Sequence, residues 1–441
     1  MRMSELAAPV ARLGDPGVAV SALLPVVATF GLSAAPVILD DAQDALHVSA
    51  GAAAWILIGY TLAFGVATPA MGKLADVRGT RTLLLLGAVL LTIGSAACLA
   101  GAGLGLVIAG RVVQGVGAAA SSTAGFTILS ARKQGHDRTR RLAILTAGSS
   151  IALGTGAFVG SVVGAAGWRV VLCLPLSAGL VGLVAALYPG VRGEPTRPFD
   201  VVGGGLLTVV AAGSLIALQT SLDGVLALPL LALGATAAVA VLLVPHVRAH
   251  PEGFLPHAVL SRPRLRRRIL VASALSGWSL GTLTLGPKLL TAARPDWSAM
   301  QVGVALLPVA AIAATVALSC ARWPAGRRVE PLLATLGAVG VLAGLAATIL
   351  GGVVGPVLAM ASGTSGFAAS QVTVLGRLPD LVPVPDVGIA VGTLSLAVVL
   401  GGAVGASLAV VSVAVAGPRA SPALLAIMPL LGLGLAASAP R

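Results

Sequence analysis

The chain has 441 residues, of which 57% are hydrophobic and only 10% charged, and its mean hydropathy is +1.00. That balance excludes a water-soluble domain of this length. The 28 basic and 15 acidic residues leave a formal charge of +13, but the basic residues cluster in short segments between apolar runs, which points to membrane orientation and away from nucleic-acid binding.

The apolar runs are about twenty residues each, the length that crosses a hydrocarbon core as a helix. In chain order the spans are predicted to start near Gly17, Ser49, Thr82, Leu106, Leu142, Trp168, Val201, Val225, Ile269, Met300, Pro331, Gly355, Val387 and Pro422. The fold class that follows is an all-α integral membrane protein of fourteen spans. A cytoplasmic tail covers residues 1–16 with Arg2 and Arg12, and the run after it is too long for a signal-peptide core, so it reads as an uncleaved first span. Residues 17–190 form a first six-helix half, 200–245 two inserted transmembrane helices, 246–268 a basic cytoplasmic loop, and 269–438 a second six-helix half.

The second run carries Trp55 and Tyr60, and Tyr60 lies deeper than interfacial anchoring needs. It is followed by a charged, glycine-bracketed stretch, Gly72-Lys73-Leu74-Ala75-Asp76-Val77-Arg78-Gly79-Thr80-Arg81, read as a loop. Gly72 and Gly79 permit tight turns, Asp76 suits a helix N-terminus, and Arg78 and Arg81 suit acidic groups or lipid phosphates. The fourth run holds Arg111-Val112-Val113-Gln114-Gly115-Val116-Gly117. An arginine inside a span is expensive unless it faces a cavity or a partner, and snorkelling to the outer headgroups is the alternative. Gln114 falls on the same helical face, and Gly115 and Gly117 permit close packing. The fifth run carries Gly154, Gly156 and Gly160, small residues that would flatten one helix face. Thr29, Ser33, Gln219, Trp278, Thr282, Lys288 and Gln371 are further candidates for a cavity wall. Cys98, Cys173 and Cys320 sit in apolar runs without a C-x-x-C pair, so no metal is expected and they read as core residues.

With the N-terminus inside and the spans alternating, the inside loops hold 23 of the 28 basic residues. One arrangement thus satisfies the positive-inside rule at nearly every loop, with both termini cytoplasmic. The lysines are only Lys73, Lys133 and Lys288, and this arginine-rich, Ala/Gly/Val-rich composition suits a GC-rich bacterial genome, hence a bacterial plasma membrane.

The stretch at Gly72, Leu74, Asp76, Gly79 and Arg81 resembles the signature loop of the major facilitator superfamily, and the Arg111 segment resembles its fourth-span motif. Trp55 with Tyr60, the segment Gly156–Ser161, Gly167-Trp168-Arg169 and Leu174-Pro175 are similar to the fourteen-span drug–proton antiporters of that superfamily. A faint repeat fits two equivalent halves, since Ala325-Gly326-Arg327-Arg328 follows the tenth span as Gly79-Thr80-Arg81 follows the second. The resemblance implies a secondary transporter that exports lipophilic small molecules, with protons as coupling ion, no cofactor, no enzymatic activity, and a monomer in the bilayer. It implies a conformational latch at Gly72, Asp76, Arg78, Gly79 and Arg81, a proton or substrate path near Arg111, Gln114, Tyr60 and Trp55, and helix packing at Gly154, Gly156 and Gly160.

The departures lie at polar positions. Val27 and Leu32 stand where the subfamily carries an Asp and an Asn, and Val398 and Val399 replace polar residues of the thirteenth span. All fifteen acidic residues fall outside the span centres, so proton coupling comes from the resemblance alone. These losses leave open a transporter-like sensor or partner subunit, or an uncoupled facilitator. The five histidines, all in loops, and the lack of hydrolase motifs disfavour an intramembrane enzyme.

Overall fold

Residues 16–131, 136–188, 200, 202–206, 209–210, 212–213, 227–250, 262–321, 329–378, 381–382 and 387–438 are described by a computed structural model. Among these residues the regular structure is helical, without a strand. The first group of helices is α1 (Pro16–Ser33), a 3-10 turn (Ala35–Ile38), α2 (Leu39–Leu46), α3 (Ala50–Arg78), α4 (Thr80–Ala100), α5 (Leu104–Ala131), α6 (His136–Gly164), α7 (Trp168–Val171) and α8 (Leu176–Ala185). After them come α9 (Ala227–Ala249), α10 (Pro263–Ala293), α11 (Ala299–Ala305), α12 (Leu307–Ala321), α13 (Glu330–Leu350), α14 (Val354–Gly376), α15 (Val387–Leu425) and α16 (Ile427–Ala437).

Local chemistry sets several boundaries. Ser49 caps α3 by accepting from the Ala52 amide at 3.2 Å. Ser298 and Gln301 form a reciprocal capping box that opens α11. Gly79 alone connects α3 to α4, at φ 82°, a region open to glycine and strained for other residues. Gly417, at φ 74° and ψ 170°, breaks the helical run of α15, and Pro418 follows it as a favourable first residue of the next helix.

Eleven helical segments among the described residues are long and apolar enough to cross a membrane. The expected fourteen are therefore not all found. Most of the seventh expected span lies outside the described residues, as do Gln219 and the repeat loop Ala325–Arg328. The eighth corresponds to α9, of which the shorter stretch Thr236–Ala249 is apolar. The twelfth, α14, is a 23-residue helix that fails on hydropathy. Its Thr364, Ser365, Ser370 and Thr373 are buried against neighbouring helices, so α14 is solvated by protein and has no need of a lipid-facing surface. By contrast, Leu85, Val89 and Ile93 on α4, and Leu342, Leu345 and Ile349 on α13, are exposed as apolar stripes, as lipid contact requires.

The same neighbour pattern recurs in both groups. In the first, α4 packs on α5 and α8, α3 on α5, and α1 on α5, α6 and α8. In the second, α13 packs on α14 and α16, α12 on α14, and α10 on α14, α15 and α16. The groups meet along two lines, α3 with α15, and α6 with α11, α12 and α14. This seam is apolar and close. A Cβ on Gly392 would lie 3.0 Å from the Cα of Pro69, and one on Gly303 would lie 3.0 Å from the Cα of Phe158. Ala147 of α6 joins Ala314, Ala317, Cys320, Ala368, Ala369 and Val372 in one buried cluster. Phe126 of α5 packs against the cluster of Leu265, Ile269, Leu394 and Val398. Asp200 and His246, 3.0 Å apart, tie the start of the seventh expected segment to the end of α9.

Candidate functional site

Arg111 is fully buried at the centre of the first helical group. Its Nε donates to the Ile56 carbonyl at 3.0 Å, Nη2 to the Gly31 carbonyl at 2.6 Å, and Nη1 to Gln114 Oε1 at 3.0 Å. The Tyr60 ring lies under the guanidinium, 4.1 Å from centroid to Cζ, a cation–π contact. Tyr60 in turn donates its hydroxyl to the Ala28 carbonyl at 2.9 Å. Gln114 uses both amide hydrogens, to Ser95 Oγ at 2.9 Å and to the Leu172 carbonyl at 2.8 Å. One side-chain network therefore joins α1, α3, α4, α5 and the turn between α7 and α8. The alternative of a snorkelling arginine does not hold, since the head group is buried with all its described partners inside the protein.

The acceptors exist for local reasons. Gly31 lies in the last turn of α1, where carbonyls lack intrahelical donors and the helix dipole favours a cation. Between α7 and α8 the backbone bonds run back three residues, from Cys173 to Val170, Leu174 to Val171, Leu176 to Cys173 and Ser177 to Leu174. The missing member of that series would reach Leu172 from residue 175, which is a proline without an N–H. Gln114 takes the carbonyl that Pro175 leaves open. Gly115 and Gly117 allow the approach: a Cβ on Gly117 would sit 2.9 Å from the Leu91 amide nitrogen, and one on Gly115 would collide with the Tyr60 carbonyl. Arg111, Gln114 and Tyr60 are thus brought together. Trp55 lies half-buried on the same helix, and the α3 acceptor for Arg111 is the carbonyl of Ile56 beside it. The spacing of Arg111 and Gln114 was readable in the sequence, whereas Gly31, Ser95 and Leu172 were missed because their role depends on tertiary placement.

The charged stretch departs from the expected loop. Residues 72–78 continue α3 without a break, and only Gly79 leaves the helix. Gly72 is a buried helical residue, so it makes no turn there. Arg78 and Arg81 are exposed, Gly79 is buried, and Asp76 lies in the final turns of α3 with its side chain outside the described part of the structure. The helix persists because Lys73-Leu74-Ala75 are strong helix formers, and charge selects the side of a membrane without disfavouring helix.

The three glycines of α6 serve two partners. A Cβ on Gly154 would lie 2.5 Å from the Ala310 Cβ across the seam. Gly156 and Gly160 face α1, where a Cβ would meet Ser33 and, at 2.5 Å, the Ala34 carbonyl. Ser33 Oγ also lies 3.1 Å from the Ala152 carbonyl, which it reaches as donor. Among the remaining candidates, Thr29 donates to Pro25 of its own helix, Lys288 is exposed and Gln371 half-buried. Trp278 is fully buried in the second group and donates to Ser362 Oγ at 3.0 Å, while Thr282 donates to the Trp278 carbonyl at 2.9 Å. Both side chains are buried and bonded within the second group. A pair the sequence had not suggested is Arg268 with Glu330, which bonds the start of α10 to the start of α13 at 2.8 Å.

Residues 22–406 match the Major Facilitator Superfamily. The chain is 31% identical over 193 residues to the methylenomycin A resistance protein of Bacillus subtilis (strain 168), covering 43% of this chain and 41% of that one. It is 33% identical over 184 residues to the multidrug resistance protein Stp of Mycobacterium tuberculosis (strain ATCC 25618 / H37Rv), covering 41% and 34%. It is 33% identical over 186 residues to a probable actinorhodin transporter of Streptomyces coelicolor (strain ATCC BAA-471 / A3(2) / M145), covering 40% and 31%. The chain thus spans well under half the length of these curated relatives. Two solved structures share the fold. The human organic anion transporter MFSD10 has TM-score 0.64 at 18% identity, covering 96% of this chain and 98% of that one. The proton:xylose symporter XylE has TM-score 0.65 at 14% identity, covering 95% and 94%. A helical bundle of membrane-spanning length, a buried Arg111 network and a family match over most of the sequence place this chain in the Major Facilitator Superfamily of membrane transporters.

Proposed function

We propose that the protein exports hydrophobic or amphipathic small molecules from a bacterial cell by alternating access, coupled to the proton gradient. The observation that carries this reading is the seam itself. Two lines of contact, α3 with α15 and α6 with α11, α12 and α14, join two similarly packed groups, largely through glycine, alanine, proline and valine. Small, weakly directional contacts of this kind suit halves that rock against each other, and their apolar faces would suit lipophilic cargo. Residues 17–190 and 269–438 would be the moving halves, with 200–245 as inserted helices. The stretch at Gly72, Asp76, Arg78, Gly79 and Arg81 would latch them at the cytoplasmic face. The basic end of the bundle would face the cytoplasm, and the monomer would be the working unit. The resistance roles printed in the names of two bacterial relatives, and the transporter role printed for a third, support export.

The test is accumulation of antibiotics and lipophilic dyes in cells without their own efflux pumps, with and without a protonophore. The expected result is lowered accumulation that collapses with the protonophore and is abolished in Asp76→Asn and Arg111→Ala at normal membrane levels. Accumulation unchanged for every compound would overturn the exporter reading. The second reading, a transporter-like sensor or partner subunit, is favoured by the apolar packing of Val27 and Leu32 around Tyr60, where the subfamily carries polar groups.

A further inference from the structure

We infer that the cargo is an amphipathic anion, a lipophilic body bearing a carboxylate, sulfonate or phenolate, and that lipophilic cations are rejected. This inference rests on the exporter reading above.

The charge of Arg111 has only neutral described partners. The Arg111 guanidinium is fully buried, and every described group that touches it is uncharged: two carbonyls, one amide oxygen and one phenol ring. The C-terminal end of α1 contributes only a partial negative charge. Among the described residues no carboxylate is bonded to it. Asp40, Asp41 and Asp44 belong to the short helix α2, Asp76 to the last turns of α3, and Glu330 is the first residue of α13, where Arg268 already holds it. The other acidic residues also fall outside the span centres.

The charge also stands close behind the seam. Ile56 and Tyr60 lie on α3, and about one and a half and two and a half turns past Tyr60 Gly65 and Pro69 of that helix abut Val399 and Gly392 of α15. Gly31 lies on α1, which packs against α6, the other seam helix of the first group. In a low-dielectric interior a charge acts over such separations with little screening. A lipophilic cation between the halves would meet the field of a guanidinium to which no described carboxylate is bonded, and an anion would meet an attractive one. An inside-negative membrane potential drives anions outward, so charge selection and export direction agree.

Gln114 offers a near-isosteric test, because its Oε1 already touches Arg111. In Gln114→Glu a carboxylate replaces the amide and neutralises the field in place. The purified full chain in liposomes would be assayed with fluorescein and rhodamine 123, an anion and a cation on the same xanthene body. The expected result is protein-dependent movement of fluorescein faster than rhodamine 123 by on the order of tenfold, and a collapse of that ratio in Gln114→Glu. Ser95→Asp, which sets a carboxylate beside Gln114, should shift the ratio in the same direction and serves if Gln114→Glu fails to fold. Wild-type protein that moves rhodamine 123 as fast as fluorescein overturns the charge assignment and leaves the exporter reading intact. Movement of neither dye by a preparation that exports another compound also overturns it. Movement of neither dye, with no lowered accumulation of any compound in cells, overturns the exporter reading itself.

Discussion

Arg268 sets two of its nitrogens on one oxygen of Glu330, Nη2 at 2.8 Å and Nε at 3.1 Å, and so pins the start of α10 to the start of α13. Both side chains are mostly buried, at 11% and 20% exposure, so removing one leaves the other in a poorly solvated site. Arg268→Ala or Glu330→Ala should lower stability by about 1–2 kcal/mol, above the value of an exposed pair and below that of a fully buried one. The double change Arg268→Met with Glu330→Leu should cost less than either alone. Thermal unfolding in detergent of the three variants would check this order, and a double variant worse than both singles would contradict it.

Arg111→Lys retains the charge and loses the fork. A single ammonium cannot reach the Ile56 and Gly31 carbonyls and Gln114 Oε1 in their present directions, and the flat stack on Tyr60 is lost. Expected is a loss of at least about 2 kcal/mol in stability together with loss of transport. Wild-type melting and transport in Arg111→Lys would show that charge alone suffices.

Pro175→Ala restores an N–H that can reach the Leu172 carbonyl, in competition with Gln114. The substitution removes a conformational constraint yet adds a rival hydrogen bond. The network should loosen, seen as faster hydrogen exchange in α5 around Gln114, with a stability change within about 1 kcal/mol. Unchanged exchange there would mean that the turn keeps its shape without the proline.

Gly154 and Gly156 separate motion from folding. Gly154→Val presses on Ala310 across the seam, so transport should fall while each helical group still folds. Gly156→Val presses on Ser33 within the first group, so stability should fall by about 1–3 kcal/mol. Transport rate and melting temperature, measured for both variants, should move in opposite proportion. Equal effects on both quantities would show that α6 does not divide its faces this way.

The helical class, most span positions and the pairing of Arg111 with Gln114 were legible in the sequence, because hydropathy and helical spacing are local properties. Three features were not. The acceptors of Arg111 are carbonyls, which every residue carries, so only the tertiary arrangement selects Gly31 and Ile56. The stretch from Gly72 to Arg78 was read as loop on its charge, yet helix formation in it follows from Lys, Leu and Ala. The low hydropathy of α14 reflects a helix surrounded by other helices, and composition alone does not distinguish such a helix from a weak span. The missing N–H of Pro175 is visible in the sequence, but that it leaves the Leu172 carbonyl open follows only from the three-residue backbone bonds of this turn.

The connectivity of the Arg111 network sets an order of assembly. Gly31, Ile56, Tyr60 and Ser95 all precede Arg111 in the chain, and of the groups in the network only Gln114, on the same helix, and Leu172 follow it. As the ribosome delivers α5 to the membrane, the acceptors for the guanidinium are already in place on α1 and α3. The costly step of bringing an arginine into lipid is thereby covered by neighbours that arrived earlier. The Gln114 amide then receives its last partner when the turn ahead of α8 emerges, so biosynthesis itself closes the network from the N-terminal side.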